Sequence, residues 1–408
     1  MGKRPFRCVP AAVSPIQYKD LLYAVTQKNI INGQAKFENS ISNYLGVNAS
    51  YSFTSFMRAI YACLSAIKIK NKADEIILPR YSCPSFSHAI LAAGLKPRYC
   101  DVITDSLTID FNSLKLIKTK NILGLICVNF FGFSNPMDKM VEYCKKNNIY
   151  LIEDIGYSLG TEYKYNKLGS FGDFSVLNFQ EGKSIPVGGG MVSTNNVDLI
   201  QNFLEEKRPQ DKSNISIMFG YKLFSNPYLY SILINGSELF GKNIRKRYSM
   251  EDTIRETSDE FDYEFDKNTT LKTISSFQGV LGYTELSKIE RFIEQRQKNA
   301  LILEEGLSSC DSIELIKKDK NVNKIHYIRY PILVKNGLRN KLLNELFKNG
   351  IEASLMYSEH GLNISSSDFP GSYKVSNEIL TLPCHPNINE NDLNLILNVI
   401  NNFLRKNM

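Results

Sequence analysis

Between residues 50 and 200 the chain alternates short apolar runs with amphipathic helical segments, and this alternation constrains the fold more than any other feature. The runs are apolar almost throughout, which is typical of strands buried on both faces. Such strands, separated by helical crossovers, predict a mostly parallel sheet in an α/β layer fold. The predicted strands lie at 75–79, 97–102, 122–131, 149–155 and 174–179, and the helices between them at 84–95 and 136–148.

The second half of the chain predicts different elements. Residues 165–169 predict a turn between two strands, and the glycines at 188–190 lead into another strand. Residues 203–265 are polar at both ends and aromatic in the middle, which we interpret as a helical insertion that packs on its own domain; a lid or a membrane-surface segment is the alternative. We expect a large α/β domain over residues 1–265 and a small α+β C-terminal domain over residues 266–408. In the latter, helices are predicted at 274–286, 287–306, 338–349 and 390–405, and a strand at 326–334.

The composition fits an enzyme-sized globular protein of two domains. With 408 residues, 43% hydrophobic and 22% charged, the chain can bury a full core, which argues against a disordered chain or a coiled coil. Its net charge of +7 is spread out and forms no basic stripe longer than the short patch at 242–247, so we expect no nucleic-acid partner. No signal peptide and no run of about 18 apolar residues occurs, so we expect a cytoplasmic protein without a membrane span.

Cysteine and histidine usage argues against a metal site. The eight cysteines are scattered without a CxxC pair, and none of the four histidines stands at metal-ligand spacing from another histidine or a cysteine. This pattern predicts buried thiols in a reducing compartment.

Two residues at predicted strand ends are the candidates for covalent chemistry. Asp154 ends the apolar run 150–154, and Lys183 follows the strand at 174–179 in a short loop that leads to three glycines. A lysine amine can form a Schiff base with an aldehyde, and a carboxylate can pair with the protonated pyridine nitrogen of pyridoxal 5'-phosphate (PLP). Taken singly, a loop lysine is more often a solvated surface residue and an aspartate after a strand is often a helix cap. Their shared position favours a site, because ligands bind at the carboxyl ends of parallel strands.

A longer set of motifs around these residues resembles the DegT/DnrJ/StrS family of PLP-dependent sugar aminotransferases. The family pattern is a strand ending in Glu-Asp, a Gly-Ser-x-Gly-Asp turn, a Schiff-base lysine ten residues after that aspartate, and a glycine-rich strand start. This chain has the same order, with ten residues from Asp173 to Lys183. Further similarities lie at 78–85, 93–97, 131–133, 278, 296–299 and 382–386, so the resemblance spans roughly residues 10 to 400.

The resemblance implies a type I PLP-dependent transferase fold. Such proteins have a large domain with a mainly parallel seven-stranded sheet between helices, a small C-terminal domain, and a homodimer with shared active sites. It also implies that Lys183 is the Schiff-base lysine and that Asp154 pairs with the pyridinium nitrogen. Ser55 falls at the helix N-terminus that binds the cofactor phosphate, which suits the free N–H groups there.

Several cofactor-binding positions depart from the family pattern. Phe56 and Met57 replace a small Gly-Thr or Gly-Arg pair, and Tyr157 replaces a glutamine or histidine near the ring. Cys83 stands where many members have an aromatic residue that stacks on the pyridine, and Asn178 stands where a serine usually reaches the phosphate. These residues are retained as cofactor-binding candidates.

By resemblance, the predicted activity is transfer of an amino group, from glutamate, to a nucleotide-linked keto sugar in amino-sugar or polysaccharide synthesis. Another PLP-dependent reaction (elimination, decarboxylation or condensation) and a non-catalytic family member stay open as alternatives. Lys183 argues against the sugar-dehydratase branch, which has histidine at that position. A dinucleotide-binding dehydrogenase is excluded, since the glycines at 188–190 do not join a first strand to a helix.

Four other residues are weaker candidates for substrate contact. For His360 and His385 we predict structural roles, although both could approach a substrate in the small domain. Arg296 and Arg329 could meet acidic substrate groups, but most such arginines are ordinary surface or interface residues.

Overall fold

The computed structural model describes residues 6–13, 15–69, 71–204, 208–212, 215–239, 271–357 and 364–407. The helices in this part of the chain are α1 (Tyr18–Gln27), α2 (Gly33–Leu45), α3 (Phe56–Lys68), α4 (Pro84–Ala92), α5 (Phe111–Lys115), α6 (Met137–Asn147), α7 (Val197–Gln201), α8 (Ile215–Leu223), α9 (Pro227–Leu239), α10 (Ser276–Leu286), α11 (Ile289–Leu307), α12 (Arg339–Lys348), α13 (Pro370–Glu378) and α14 (Glu390–Asn407). The strands are β1 (Ala49–Phe53), β2 (Glu75–Pro79), β3 (Lys96–Cys100), β4 (Val102–Ile103), β5 (Thr108–Ile109), β6 (Ile122–Val128), β7 (Tyr150–Asp154), β8 (Glu162–Tyr163), β9 (Asn166–Lys167), β10 (Phe174–Asn178), β11 (Gly190–Thr194), β12 (Ile313–Leu315), β13 (Val322–Lys324), β14 (Tyr330–Val334) and β15 (Ile379–Leu382).

A seven-stranded sheet forms the centre of the protein, in the order β1-β11-β10-β7-β6-β2-β3. Its neighbouring strands are parallel except around β11, which is antiparallel to both β1 and β10. Every residue of β6, β10 and β11 is buried, as expected for strands covered on both faces. The predicted α/β fold with a mainly parallel seven-stranded sheet is therefore confirmed.

The two faces of this sheet are covered by different helices. Helices α3 and α4 pack against each other in one hydrophobic cluster, while α1, α2 and α10 pack together in the other. Helix α3 forms because Ser55 caps its first turn and nine of its thirteen residues are buried. Helix α10, which begins at Ser276, contacts α1 and α2, so this part of the predicted C-terminal domain packs with helices of the large domain; the domain boundary itself stays a prediction.

The ends of β7 and β10 lie side by side. The two strands are parallel, and Asp154 at the end of β7 stands opposite Val176 of β10. Strand β10 ends at Asn178, and the chain then turns through Lys183 and the glycines at 188 and 189 before it reverses into β11. Asp154 and Lys183 thus leave the sheet at the same edge.

Glu153 ties the Gly-Ser-Phe-Gly turn to this edge. Its Oε1 accepts hydrogen bonds from the backbone N–H groups of Phe171 (2.8 Å) and Gly172 (2.7 Å), and its Oε2 accepts one from Gly169 (2.8 Å). The carboxylate is completely buried. The glutamate of the Glu-Asp motif is therefore bound to the backbone of the turn that precedes β10.

The predicted strands at 97–102 and 326–334 are shorter in the structure. The first ends at Cys100, and residues 102–103 pair separately with β5. The second begins only at Tyr330, because His326 is held against the large domain: its backbone N–H donates to the Thr161 hydroxyl (3.0 Å), and its Nδ1 donates to the Leu159 carbonyl (2.6 Å). These long-range bonds prevent the extended pairing that the apolar pattern suggested.

A second sheet, in the order β12-β14-β15, is flanked by α11, α12 and α13, and α14 packs against α11 and α12. The segment of residues 6–13 crosses to this part of the chain, where Val9 pairs with Ile351 and Arg7 forms an ion pair with Asp392. The insertion predicted over 203–265 contains the helices α8 and α9, but its described residues 208–212 are not helical, and Gln210 pairs with Thr273 in an isolated bridge; much of the rest lies outside the described residues. None of the described helices combines the length and the apolar character needed to cross a membrane.

Candidate active site

Lys183 is a buried lysine in the loop between β10 and β11. Its side chain is 9% exposed, and its Nζ lies 3.1 Å from the centroid of the Tyr157 ring. An ammonium group over an aromatic face is stabilised by the ring quadrupole. Among the described residues, Nζ has no hydrogen-bond acceptor, so the amine is sheltered from bulk water without being fixed in an ion pair.

Asp154 is buried in the same site. Its Oδ1 accepts a hydrogen bond from the Gly156 N–H at 2.9 Å, and the residue is 6% exposed. Burial raises the pKa of its carboxyl to about 6, while the Gly156 bond and the charge of Lys183 oppose that rise. Asp154 and Lys183 were the two candidates from the sequence. Because the charge of Lys183 acts on the Asp154 carboxyl, the two residues lie in the same site.

The N-terminus of α3 presents free backbone donors. The Ser55 hydroxyl accepts a hydrogen bond from the Arg58 N–H (3.2 Å), while the N–H groups of Phe56 and Met57 have no acceptor among the described residues. The side chains of Phe56 and Met57 are buried, and the Phe56 ring meets Phe86 edge-on at 5.5 Å between centroids. The bulky pair therefore points into the core, and its backbone remains available to an anion.

Asn178 supports the loop that carries Lys183. Its Oδ1 accepts a hydrogen bond from the Gln180 backbone N–H at 2.9 Å, a turn stabilised by an asparagine side chain. Its Nδ2 donates weakly to the Gln180 side chain at 3.4 Å. The amide at this position thus orders the first turn of the loop.

Cys83 precedes α4 and faces the same site. It is half-buried, its Sγ lies 3.4 Å from the Ser85 hydroxyl, and burial raises the pKa of its thiol. The charges of Lys183 and Asp154 both act on this thiol, which places Cys83 close to them. All eight cysteines of the chain are free thiols.

Tyr357 is a site residue that the sequence analysis missed. It interacts electrostatically with Tyr157, Cys83 and Asp154, and its ring meets the Tyr81 ring at 5.4 Å. Met356 and Tyr357 have φ angles of 40° and 36°, which are uncommon outside glycine and asparagine. No periodicity or spacing marks this residue, because it reaches the site from the C-terminal part of the chain through a strained backbone.

The weaker candidates are placed as follows. His385 is buried and its Nε2 donates to the Pro10 carbonyl at 3.1 Å, while the buried guanidinium of Arg296 donates to the carbonyls of Tyr327 (3.3 Å) and Ile328 (2.7 Å). Arg329 is half-buried beside Gly182. His360 lies outside the described residues.

A cavity of about 150 Å³ lies beside the N-terminus of α3. In the described part of the chain, neither Lys183 nor Asp154 lines this cavity. Helix α8 forms one of its walls. The lining comprises Thr54, Asp211, Lys212, Ile217, Met218, Phe277 and Gln278.

Comparison with known proteins identifies the family of this chain. The profile of the DegT/DnrJ/EryC1/StrS aminotransferase family matches residues 18–222 and 246–401. The chain belongs to this family. It is accordingly a PLP-dependent aminotransferase, as the sequence motifs predicted.

The aminotransferase has relatives in several bacteria. It is 30% identical over 269 residues to the UDP-4-amino-4,6-dideoxy-N-acetyl-beta-L-altrosamine transaminase of Campylobacter jejuni strain 81-176, covering 62% of this chain and 68% of the relative. It is 23% identical to the lipopolysaccharide biosynthesis protein RfbH of Salmonella typhimurium, covering 90% of this chain and 84% of the relative. GDP-perosamine synthase of Vibrio cholerae is 22% identical, with 90% of each chain covered.

Solved structures share the fold of the aminotransferase. Helicobacter pylori PseC, an aminotransferase involved in the biosynthesis of pseudoaminic acid, superposes with a TM-score of 0.76 at 19% identity, covering 98% of this chain and all of that one. The aminotransferase TlmJ from Streptoalloteichus hindustanus gives a TM-score of 0.74 at 17% identity, with 98% and 99% covered.

The donor set of this aminotransferase fits PLP. Among the described residues, Lys183 has no ion-pair partner and two N–H groups in the first turn of α3 have no acceptor, so the amine can meet the aldehyde and the N–H groups a phosphate; Asp154 adds a buried carboxylate. The buried hydroxyl of Tyr81, whose ring contacts Tyr357, has no hydrogen-bond partner among the described residues. The aldehyde, pyridine nitrogen and phosphate of PLP each have a chemically suitable partner.

Proposed function

We propose that this aminotransferase moves an amino group from a small amino donor, glutamate by family resemblance, to the keto group of a nucleotide-linked sugar. The observation that carries the proposal is that Lys183 and Asp154 are both buried at or beyond the ends of adjacent strands, where the charge of Lys183 acts on the Asp154 carboxyl. The names of the relatives supply the substrate class, since they include a UDP-sugar transaminase and a GDP-perosamine synthase.

In this proposal each site residue has one task. Lys183 binds the cofactor aldehyde covalently through Nζ, and Asp154 holds the pyridine nitrogen in its protonated form by its charge. Ser55 and the N–H groups of Phe56 and Met57 bind the phosphate, and Asn178 orders the loop beside it. Tyr157 and Cys83 flank the ring.

PLP, when bound, supplies the electron sink that allows an amino group to move between two carbon skeletons. The protein contributes proton transfer and exclusion of water. With PLP bound, Nζ of Lys183 would accept the proton that leaves the donor carbon and, when the amino group passes on, would deliver a proton to the acceptor carbon. Because Lys183 is 9% exposed, that proton is exchanged in a sheltered space.

A homodimer with shared active sites is part of the same proposal. It is supported by apolar side chains that remain exposed on α1, α8 and α9, namely Tyr18, Leu22, Ile217, Leu223, Tyr228 and Ile232. Light scattering coupled to size exclusion tests it, and a monomer at micromolar concentration would count against it.

The central test combines spectroscopy with trapping. The purified protein is incubated with PLP, reduced with borohydride and digested, and we expect the modified peptide to carry the label on Lys183. Lys183→Ala should abolish both the label and amino transfer, whereas Lys167→Ala, which removes a lysine that lies over the Tyr44 ring away from this loop, should change neither.

The reaction itself is assayed with glutamate and a panel of UDP- and GDP-linked keto sugars. Amino transfer to one of them supports the proposal. If the sugar is converted without transfer of an amino group, the enzyme catalyses an elimination or another PLP-dependent reaction instead. No spectral change on adding PLP would indicate a non-catalytic family member.

A further inference from the structure

Helix α9 has apolar side chains on both its inner and its outer side. Ser231 and Ile234 are each 2% exposed and mark the inner side. Tyr228 and Ile232, one helical turn apart, are 48% and 58% exposed and mark the outer side. The outer face of a surface helix is normally polar, and a helix that is apolar all round is normally covered on all sides. The exposed outer side of α9 therefore indicates a binding surface.

The inner side of α9 is fixed to the rest of the protein. The Tyr230 hydroxyl donates a hydrogen bond to Oε2 of Glu352 (2.7 Å), which also accepts one from the Ala11 backbone N–H (2.9 Å). The Cys8 N–H donates to the carbonyl of Pro227, the first residue of the helix (3.1 Å). The helix cannot rotate its apolar outer side inward without breaking these bonds, so that side stays exposed.

The exposed side chains of this region include aromatic and aliphatic residues. Phe6 is 77% exposed, and its ring meets the Tyr228 ring at 5.9 Å between centroids. We call Phe6, Tyr228 and Ile232 the α9 face. The preceding helix adds exposed apolar side chains at Ile217 and Leu223. Aromatic and aliphatic side chains together are typical of helices that lie in the boundary between lipid headgroups and acyl chains.

The sequence after α9 carries a run of positive charge. Chain length alone keeps Lys242 within about 11 Å of Leu239, the last residue of the helix. Such a run next to an apolar helix is attracted to the headgroups of anionic lipids. The sequence over 251–266 is mostly acidic, and an anionic surface would repel it, so the attraction is confined to the preceding residues. The basic residues of the run are Lys242, Arg245, Lys246 and Arg247.

We propose that the α9 face binds the surface of a membrane that contains anionic lipids. Phe6, Tyr228 and Ile232 enter the boundary below the headgroups, and the positive charge next to α9 in the sequence favours anionic over neutral lipids. The helix has 13 residues, whereas crossing a bilayer takes about 20. The enzyme therefore lies on the membrane and does not span it.

A second copy of this chain is the other occupant that an apolar face can take. In a two-fold dimer the same face of both copies meets itself. A dimer centred on α9 would bring the two basic runs towards each other, which their like charges oppose. A dimer through the exposed side chains of α1, such as Tyr18 and Leu22, leaves the α9 face free for the membrane.

The experiment measures sedimentation of the full-length, PLP-loaded protein with lipid vesicles. The vesicles consist of phosphatidylcholine alone or of phosphatidylcholine mixed with phosphatidylglycerol. Ile232→Ser tests the apolar contact, and Leu116→Ser, at a residue that is 84% exposed after α5, is its matched control. Alanine at the four basic residues of the run tests the charge. The control for this variant has alanine at four exposed lysines elsewhere, namely Lys115, Lys118, Lys120 and Lys145.

We expect the wild-type protein to bind the mixed vesicles and to bind phosphatidylcholine alone much more weakly. Ile232→Ser should weaken binding about tenfold, because a buried aliphatic side chain is lost. Removing the basic run should weaken it by about 100-fold, and added salt should have the same direction of effect. Both control variants should bind as the wild type does.

Three results would overturn the proposal. They are no binding to the mixed vesicles, equal binding of Ile232→Ser and wild type, and equal binding to vesicles with and without phosphatidylglycerol. If Ile232→Ser turns a dimer into a monomer and leaves vesicle binding unchanged, the face belongs to a second copy. Lys183→Ala should bind vesicles as the wild type does, so this test does not depend on the proposed function. Equal unfolding midpoints exclude misfolding as the cause of any loss.

Discussion

Glu153 and Asp154 are consecutive residues of β7, and their carboxylates lie on opposite faces of the central sheet. Successive side chains of a strand point to opposite faces. Glu153 accepts three backbone N–H groups of the turn over residues 169–172, and Asp154 faces the charge of Lys183. The first acid therefore holds the turn that leads into β10, and the second belongs to the site.

Glu153→Gln should destabilise the protein without removing any group from the site. An amide offers acceptors at only one of its two ends, so at least one buried N–H loses its partner and faces an NH₂ group. Burial raises the pKa of the Glu153 carboxyl to about 7, so removing its charge offsets part of this effect, and we expect a net loss of about 1 kcal/mol in the free energy of unfolding, measured with denaturant. Glu305→Gln, at an exposed position of α11, is the control and should change stability little. Equal stability of the two variants would contradict the assigned role.

Asp154→Asn should stabilise the cofactor-free protein at neutral pH while it abolishes amino transfer. Because the folded-state pKa of about 6 lies above the ordinary value of 3.8, ionising Asp154 favours the unfolded chain. The cost is absent below pH 4, grows as the pH rises through 6, and then amounts to about 3 kcal/mol. Unfolding midpoints of both proteins from pH 4 to 8 test this. A difference independent of pH would show that the charge is not its cause.

The glycines before β11 should tolerate alanine unequally. Both residues have left-handed backbones, with φ angles of 84° at Gly188 and 87° at Gly189. A Cβ on residue 188 would meet the end of the flexible Gln278 side chain, whereas one on residue 189 would lie 2.6 Å from the Phe53 carbonyl oxygen of β1. We expect Gly188→Ala to cost about 1–2 kcal/mol and Gly189→Ala clearly more. Thermal unfolding and PLP affinity measure the effect, and a larger loss for residue 188 would refute the explanation.

Asn178→Ser should preserve PLP binding, and Asn178→Ala should weaken it. A serine hydroxyl can still accept the Gln180 N–H, although less strongly than the asparagine oxygen does. Alanine leaves that N–H without its partner and loosens the turn into Lys183. We expect less than a threefold change in the dissociation constant of PLP for serine and about tenfold for alanine. Equal affinities would mean that the side chain does not order this loop.

The sequence predicted the inner strands β2, β6, β7 and β10 because they are largely apolar runs bounded by turn residues, whereas β1 has no such run and was not predicted. Asp154 and Lys183 could be paired in advance, since the ends of parallel strands meet at one edge of a sheet. The ends of the strands predicted at 97–102 and 326–334 could not be located from the sequence, because they are set by tertiary contacts such as those of His326.

The same limit applies to the rest of the site. Tyr357 and Arg329 enter from positions far along the chain, and nothing in their local sequence shows which loop they contact. Phe56 and Met57 departed from the family pattern, yet the structure turns their side chains into the core and keeps their N–H groups free. Their direction depends on the packing of α3, which no local pattern contains.

The crossing of residues 6–13 to the C-terminal part of the chain has a consequence for biosynthesis. The Pro10 carbonyl accepts a hydrogen bond from His385, and the Arg7 guanidinium donates to the Asp392 carboxylate in α14. These contacts join residues more than 370 positions apart in the sequence. Both contacts can form only after residues 385–392 have been synthesised, and pairings between such distant residues form slowly. The segment of residues 6–13 therefore gains these partners long after it has left the ribosome.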